Sequence, residues 1–225
     1  MSAERLRRMR QALMKRQPDL TVVMAGVHKE HNVSAVIRSC DAVGVPVLHS
    51  VGQESRLAIK RTASAGVTRW VKLQQHEDIA TGLAQLRGEG FQLVAAHASS
   101  RAVDFRSVDY TVPTAVILGQ ELEGMPADAA AAADTHIAIP MAGLTESLNV
   151  SVAAAVTLYE AQRQRAAAGF YDRCRMDDET LRRTLFEWLQ PKIARYCRER
   201  GLPYPELDEE GHVVGGAEAI SGTRD

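Results

Sequence analysis

Six short apolar runs, Leu20–Met24, Val45–His49, Trp70–Leu73, Phe91–Ala96, Thr114–Leu118 and Thr135–Ile139, recur through the chain. Each is too short for a buried helix, and most lack polar alternation, the mark of strands covered on both faces. Helical patterns lie between several of them, notably over residues 32–43 and 77–88. Two-sided strands alternating with helices predict an α/β fold: a parallel sheet with helices on both faces. The order of its strands follows from no pattern in the sequence.

The flanks are helical. Residues 3–16 place Leu6, Met9 and Leu13 on one face with arginines around the rest, and Gln17-Pro18-Asp19 ends the pattern. Residues 147–168 are rich in alanine, with Ser147 or Thr145 as N-cap. Residues 178–200 align Leu181, Leu185, Trp188, Leu189, Ile193 and Cys197 along one stripe, and Pro191 either kinks this helix or starts a second. The expected organisation is a basic N-terminal helix over 1–19, an α/β domain over 20–168, a helical extension over 169–205 and an acidic tail over 206–225. Few apolar residues and a Gly-Gly pair predict a poorly ordered tail.

A chain of 225 residues, 45% hydrophobic, can fill a sizeable core. It contains no run of apolar residues long enough for a membrane helix, and no apolar segment behind the N-terminal arginines. Three widely spaced cysteines, Cys40, Cys174 and Cys197, argue against a disulfide framework and for a reducing cytoplasm. His28 and His31 have metal-like spacing, but no Cys, Asp or Glu completes a ligand set, so no metal is expected. Net charge is −1, yet it is unevenly spread. Residues 1–16 carry six basic side chains against Glu4, residues 159–200 ten against seven acids, and the stretch beyond Gly201 six acids against Arg224. Two basic flanks of this kind suit phosphate binding, which depends on local rather than total charge.

Three segments mix apolar runs, glycine and isolated polar residues: His31–Ser39 followed by Gly44, Val116–Gly124, and Ile139–Val156. Together, in this order, they resemble the three motifs of the SpoU ribose 2′-O-methyltransferases, a family of knotted, S-adenosylmethionine-dependent RNA methyltransferases. The resemblance spans residues 20–165 and implies a Rossmann-like sheet with a C-terminal trefoil knot, from about Val116 through the helix after Asn149. It also implies a homodimer joined through the knot region. The basic N-terminal helix, the run Leu158–Arg165 and the sequence Gly201-Leu202-Pro203-Tyr204-Pro205 resemble the branch of the family that acts on the D-loop guanosine of tRNA.

The resemblance implies the site residues as well. Arg38, six positions after Asn32, occupies the place of the arginine that activates the ribose hydroxyl. A guanidinium is a reluctant base, which favours stabilisation of the developing oxyanion, the proton leaving to phosphate or water. Asn32, Glu121, Ser147 and Asn149 would surround it, with Glu121 an alternative base should burial raise its pKa. Asn32 and Ser147 read equally well as helix N-caps. Ala96, Gly119, Ile139 and Leu148 would hold the cofactor through main-chain groups, with Gly124 and Gly143 allowing tight turns. Arg5, Arg7, Arg8 and Arg10 at one end, and Arg163, Arg165, Arg173 and Arg175 at the other, would grip RNA phosphates.

Two other functions leave different traces. A nicotinamide-dependent dehydrogenase needs G-x-G-x-x-G after the first strand. The chain reads Ala-Gly-Val-His-Lys-Glu there. A silent RNA-binding relative would lack Arg38 or Asn149, and both are present. Within the family, other tRNA or rRNA nucleotides remain alternative targets. A short N-terminal flank disfavours ribosomal members, and basic helices at both ends disfavour the minimal wobble-position members.

Overall fold

The computed structural model describes residues 3–51, 69–120 and 123–214. The described residues fall into two compact units, one spanning Gln17–Asp172 and the other drawn from Met1–Arg16 and Arg173–Asp225.

The first unit is built on a seven-stranded sheet whose strand pairs are all parallel. In chain order its strands are β1 (Leu20–Ala25), β2 (Val47–Val51), β3 (Lys72–His76), β4 (Gln92–Ala96), β5 (Val103–Asp104), β6 (Thr114–Leu118) and β7 (Thr135–Ala138). Across the sheet they run β3-β2-β1-β6-β4-β7-β5. Every residue of β1 and β6 is buried. Alternation along β1 sends Leu20, Val22 and Met24 to one apolar layer and Val23 and Ala25 to the other. The first layer is closed by α2 (Glu30–Val43) and α5 (Val150–Ala167), which pack on each other. The second is closed by α3 (Ile79–Gly88) and α4 (Ala127–Ala132). Strand β3 lies two residues later than its apolar run implied. It is an edge strand, and the polar pair Gln74 and Gln75 is tolerated there.

Late strands enter the middle of this sheet. β6 inserts between β1 and β4, β7 pairs on the far side of β4, and the chain then returns to α2 through α5. The return path is what a knotted C-terminal half requires, although physical rules alone disfavour knots.

Arg165 corrects an expectation. It is not a phosphate-binding surface residue: its side chain is fully buried at the C-terminal end of α5. Nε donates to the Tyr110 carbonyl (2.8 Å), Nη1 to Asp19 Oδ1 (2.6 Å) and Gln17 Oε1 (3.3 Å), and Nη2 to the carbonyls of Asp19 (3.0 Å) and Val112 (3.1 Å). All five donors of the guanidinium are used inside the protein.

In the second unit, α1 (Ala3–Met14) buries Leu6, Met9 and Leu13 and packs against α6 (Asp178–Leu189). Pro191 starts a new helix, α7 (Pro191–Arg200), rather than kinking one. Arg16 lies over the Trp188 ring at 5.1 Å. The expected disorder of 206–225 fails for its first part. Residues 206–214 form a turn closed by a Leu207–Val213 bridge, with Asp208 Oδ1 accepting from the amides of Glu210 and His212. Gly211, at φ +80°, sits near Leu6 and Leu189 and accepts from Gln190. These are tertiary contacts that composition does not report. Among the described residues, no helix is long and apolar enough to cross a membrane, and no cluster of three His, Cys, Asp or Glu could hold a metal.

Candidate active site at the strand ends

The ends of β1, β6, β4 and β7 are neighbours, so the loops that leave them converge on one edge of the sheet. In open α/β sheets this edge is where ligands bind. Ala96 lies beside Leu118 in one direction and Ile137 in the other. Gly119 therefore follows directly from one neighbour of Ala96, and Ile139 stands two residues beyond the other. Ala96, Gly119, Ile139 and Leu148 are all half-buried. Ala96 and Ile139 pack against the core layer that contains Val150, the first residue of α5.

Two glycines shape this edge. A Cβ on Gly119 would stand 2.6 Å from the carbonyl oxygen of Gly124 and 2.7 Å from Met125 Cα, because Gly124 and Met125 come back against the end of β6. The Gln120 amide holds this approach, donating to the Gly124 carbonyl at 2.8 Å. Gly26, at φ +83°, leaves β1 beneath the Gln120 side chain, where a Cβ would lie 2.6 Å from Gln120 Cγ. Gly26 and Gln120 escaped the sequence reading; the glycine directly after a buried strand was the available signal. Gly124 does adopt positive φ, at +72°, whereas Gly143 is exposed and does not.

The polar centre joins α2 to α5. Asn149 is the N-cap of α5: its Oδ1 accepts from the Ser151 amide (2.8 Å) and hydroxyl (2.7 Å). That fixes the amide orientation and turns Nδ2 toward Asn32, whose Oδ1 accepts at 3.1 Å. Asn32 is buried inside the first turn of α2, and Lys29, not Asn32, stands at its N-cap. Ser147 and Thr145, expected as caps of the second helix, precede it in an exposed loop. A cap three residues from Val152 suits Asn149 better, since its own carbonyl already accepts from the Val152 amide at 3.0 Å.

Arg38 is exposed, and among the described residues it makes no hydrogen bond or ion pair; the alternative pairing with Asp41 is not formed. Six residues along an α-helix is about 9 Å and roughly 120° around from Asn32, so a single chain does not bring Arg38 into contact with the asparagine pair. Glu121 lies outside the described residues. Of the proposed RNA contacts, Arg5, Arg8 and Arg173 are exposed and Arg175 is half-buried. Arg163 is exposed but held by Glu160 through two bonds of 2.9 and 2.7 Å. That pairing, with Gln164, lowers the Glu160 pKa.

Residues 19–159 match the SpoU rRNA Methylase family, and residues 163–215 match the C-terminal region described for SpoU rRNA methylases. The chain belongs to the SpoU rRNA methylase family. Within it, the chain is 46% identical over 220 residues to the tRNA (guanosine(18)-2′-O)-methyltransferase of Escherichia coli, covering 97% of this chain and 96% of that one. The crystal structure of the A. aeolicus TrmH/SpoU tRNA modifying enzyme superposes with a TM-score of 0.75 at 42% identity, covering 82% of this chain and 94% of that chain. An AdoMet-bound rRNA methyltransferase from Sinorhizobium meliloti gives a TM-score of 0.58 at 28% identity, over 68% of this chain and 59% of that chain.

Proposed function

We propose that this protein transfers a methyl group from S-adenosylmethionine to the ribose 2′-hydroxyl of guanosine 18, in the D-loop of tRNA. The observation that carries this reading is end-to-end similarity, 46% over 97% of the chain, to an enzyme named for that reaction. The strand-end edge supports this reading. Half-buried Ala96 and Ile139 line the strand-end main chain, half-buried Leu148 stands just before α5, and Gly119 permits the close approach of Gly124 and Met125. That combination fits a cofactor with an adenine ring and a ribose. When bound, S-adenosylmethionine supplies an electrophilic methyl on a sulfonium sulfur.

The chain's residues then do three things. Main-chain groups near Ala96, Gly119, Ile139 and Leu148 would hold the cofactor. The Asn149–Asn32 pair fixes the start of α5 against α2 and presents amide groups to the reacting ribose. Arg38, lacking a partner among the described residues, is a cation held ready for the oxygen that loses its proton, which leaves to water or to a substrate phosphate. Glu121 is assigned to the same site by its motif position. Arg5, Arg8 and Arg173 contact the RNA backbone, with Arg175 and the partly neutralised Arg163 secondary to them.

The active form is a homodimer. Leu144 in the loop before α5 is 102% exposed, and Val152 and Tyr159 lie one helical face apart from the buried stripe at 46% and 51%. A two-fold pairing through this loop and helix would cover them and place two copies of the motif together. The trefoil knot belongs to the same reading, as does a cytoplasmic location beside the substrate. Incubation with labelled S-adenosylmethionine and unmodified tRNA, followed by mapping of the methylated nucleotide, tests the reaction. Label at another tRNA position or only in rRNA would replace the substrate, and no transfer to any RNA would remove the activity. Sedimentation showing a stable, active monomer at micromolar concentration would remove the dimer.

A further inference from the structure

The loop leaving β4, residues 97–102, is fastened by one side chain of the neighbouring strand. His136 is buried in β7, beside Ala95 and on the sheet face opposite the α2–α5 layer. Its Nδ1 lies 2.7 Å from Ser99 Oγ. The His97 ring meets it edge-on, with centroids 5.2 Å apart and planes 67° apart. Arg101 spans the ring: its Nε donates to His136 Nδ1 at 3.3 Å, and its Nη2 lies against Nε2 and donates to the Ala130 carbonyl at 2.8 Å, the same carbonyl that stands 2.8 Å from His136 Nε2. The main chain follows: the His97 amide donates to Ile137, Ser99 to His97 and Ala102 to Ser99. None of these side chains has a part in the methyl-transfer scheme above.

The loop begins directly after Ala96. We propose that His136 is a positioning residue for cofactor binding: through Ser99 and Arg101 it holds the β4–β5 loop so that main-chain groups at and after Ala96 are already in place. This rests on the reading of Ala96 as a cofactor position. A preformed loop spares the ordering that binding would otherwise require, so its loss weakens affinity without touching the chemical step. The Ser99 hydroxyl can give or accept a proton, so the bond stands in either neutral tautomer of His136.

The test separates the two ends of the imidazole. Asparagine places a polar atom where Nδ1 lies, and glutamine places one where Nε2 lies. Ser99→Ala and His136→Gln should each raise the dissociation constant and KM for S-adenosylmethionine about 2- to 10-fold, the effect of losing one hydrogen bond on an equilibrium. The tRNA KM, and kcat at saturating cofactor, should stay unchanged. His136→Asn should restore cofactor affinity toward wild type, which a residue serving only to fill the core would not do. An unchanged cofactor KM in Ser99→Ala, or His136→Asn as impaired as His136→Gln, would overturn the proposal. Calorimetry on the unsubstituted protein keeps the underlying reading separate: no binding of S-adenosylmethionine there overturns the cofactor site itself.

Discussion

Replacing Arg165 with methionine keeps much of the side-chain volume and removes the charge and all five donors. The Asp19 carboxylate, 19% exposed, loses its cation, and the carbonyls of Tyr110, Asp19 and Val112 lose their Arg165 donors at a buried site. Breaking a buried pair by removing one partner costs about 3–5 kcal/mol, because the remaining charge loses its counter-ion in a poorly solvated site. Summing five separate bonds would overstate it, since bonds sharing one group are not additive. For a domain of this size each kcal/mol moves the melting temperature by about 2–4 °C, so a fall of roughly 6–20 °C is expected. Lysine, with one compact charge in place of the planar fork, should recover only part of it. The assay is thermal and urea unfolding at fixed protein concentration, because the proposed dimer would make the melting point concentration-dependent. The same variant, measured well below its melting temperature, should bind tRNA with an unchanged slope of log affinity against log salt. A variant within about 1 kcal/mol of wild type whose salt slope falls by about one unit would refute the reasoning and return Arg165 to the RNA surface.

Arg38→Ala should retain fold and cofactor affinity while methyl transfer drops at least ~100-fold, the scale for losing one oxyanion donor; single-turnover rates within a few-fold of wild type would remove Arg38 from the mechanism. Neutralising Arg5 and Arg8 together should lower the tRNA salt slope by about 1 to 2 units and leave S-adenosylmethionine binding alone, so unchanged slopes would make α1 an ordinary solvated helix. His49 is held neutral by burial and by His76, whose Nε2 lies 2.8 Å from its Nδ1, and its pKa is lowered from 6.5 to about 4. The unfolded chain therefore binds a proton that the folded one refuses. Stability present above pH 6.5 is lost as pH falls toward 4, by up to ~3 kcal/mol. His49→Gln should flatten that part of the pH–stability curve, and urea titrations giving parallel curves for both proteins would exclude His49 as the source.

Much of the fold was legible because its signal is local. The uninterrupted apolar runs of β1 and β6 announced strands buried on both sides, and Leu6, Met9 and Leu13 gave the inner face of α1 from spacing alone. What failed depended on partners far away in sequence. Ser147, Thr145 and Asn149 are all competent caps, and the contact with Asn32, 117 residues distant, goes with the choice of Asn149. The first part of the tail folds because Gly211 meets Leu6 and Leu189, not because of its own composition.

Arg165 is the more instructive miss, since its burial was written in the helix period. Ala154, Leu158, Ala161 and Arg165 repeat at four, three and four residues, one continuous inward stripe, and all are buried. A charge on that stripe must find a complete set of acceptors or the helix cannot dock. Asp19, just before β1, and the carbonyls of Tyr110 and Val112 supply most of the set. The same test applied to Arg163 gives the opposite answer: it stands off the stripe, and its pairing with Glu160 on the adjacent turn leaves it exposed. His136 obeys the rule as well, a polar residue inside an apolar strand run whose partners, Ser99 and Ala130, come from the loop after β4 and from α4. A polar side chain placed on an apolar period is thus a statement about a network elsewhere in the chain, and in this protein one such network anchors the far end of the helix whose N-terminus carries Asn149.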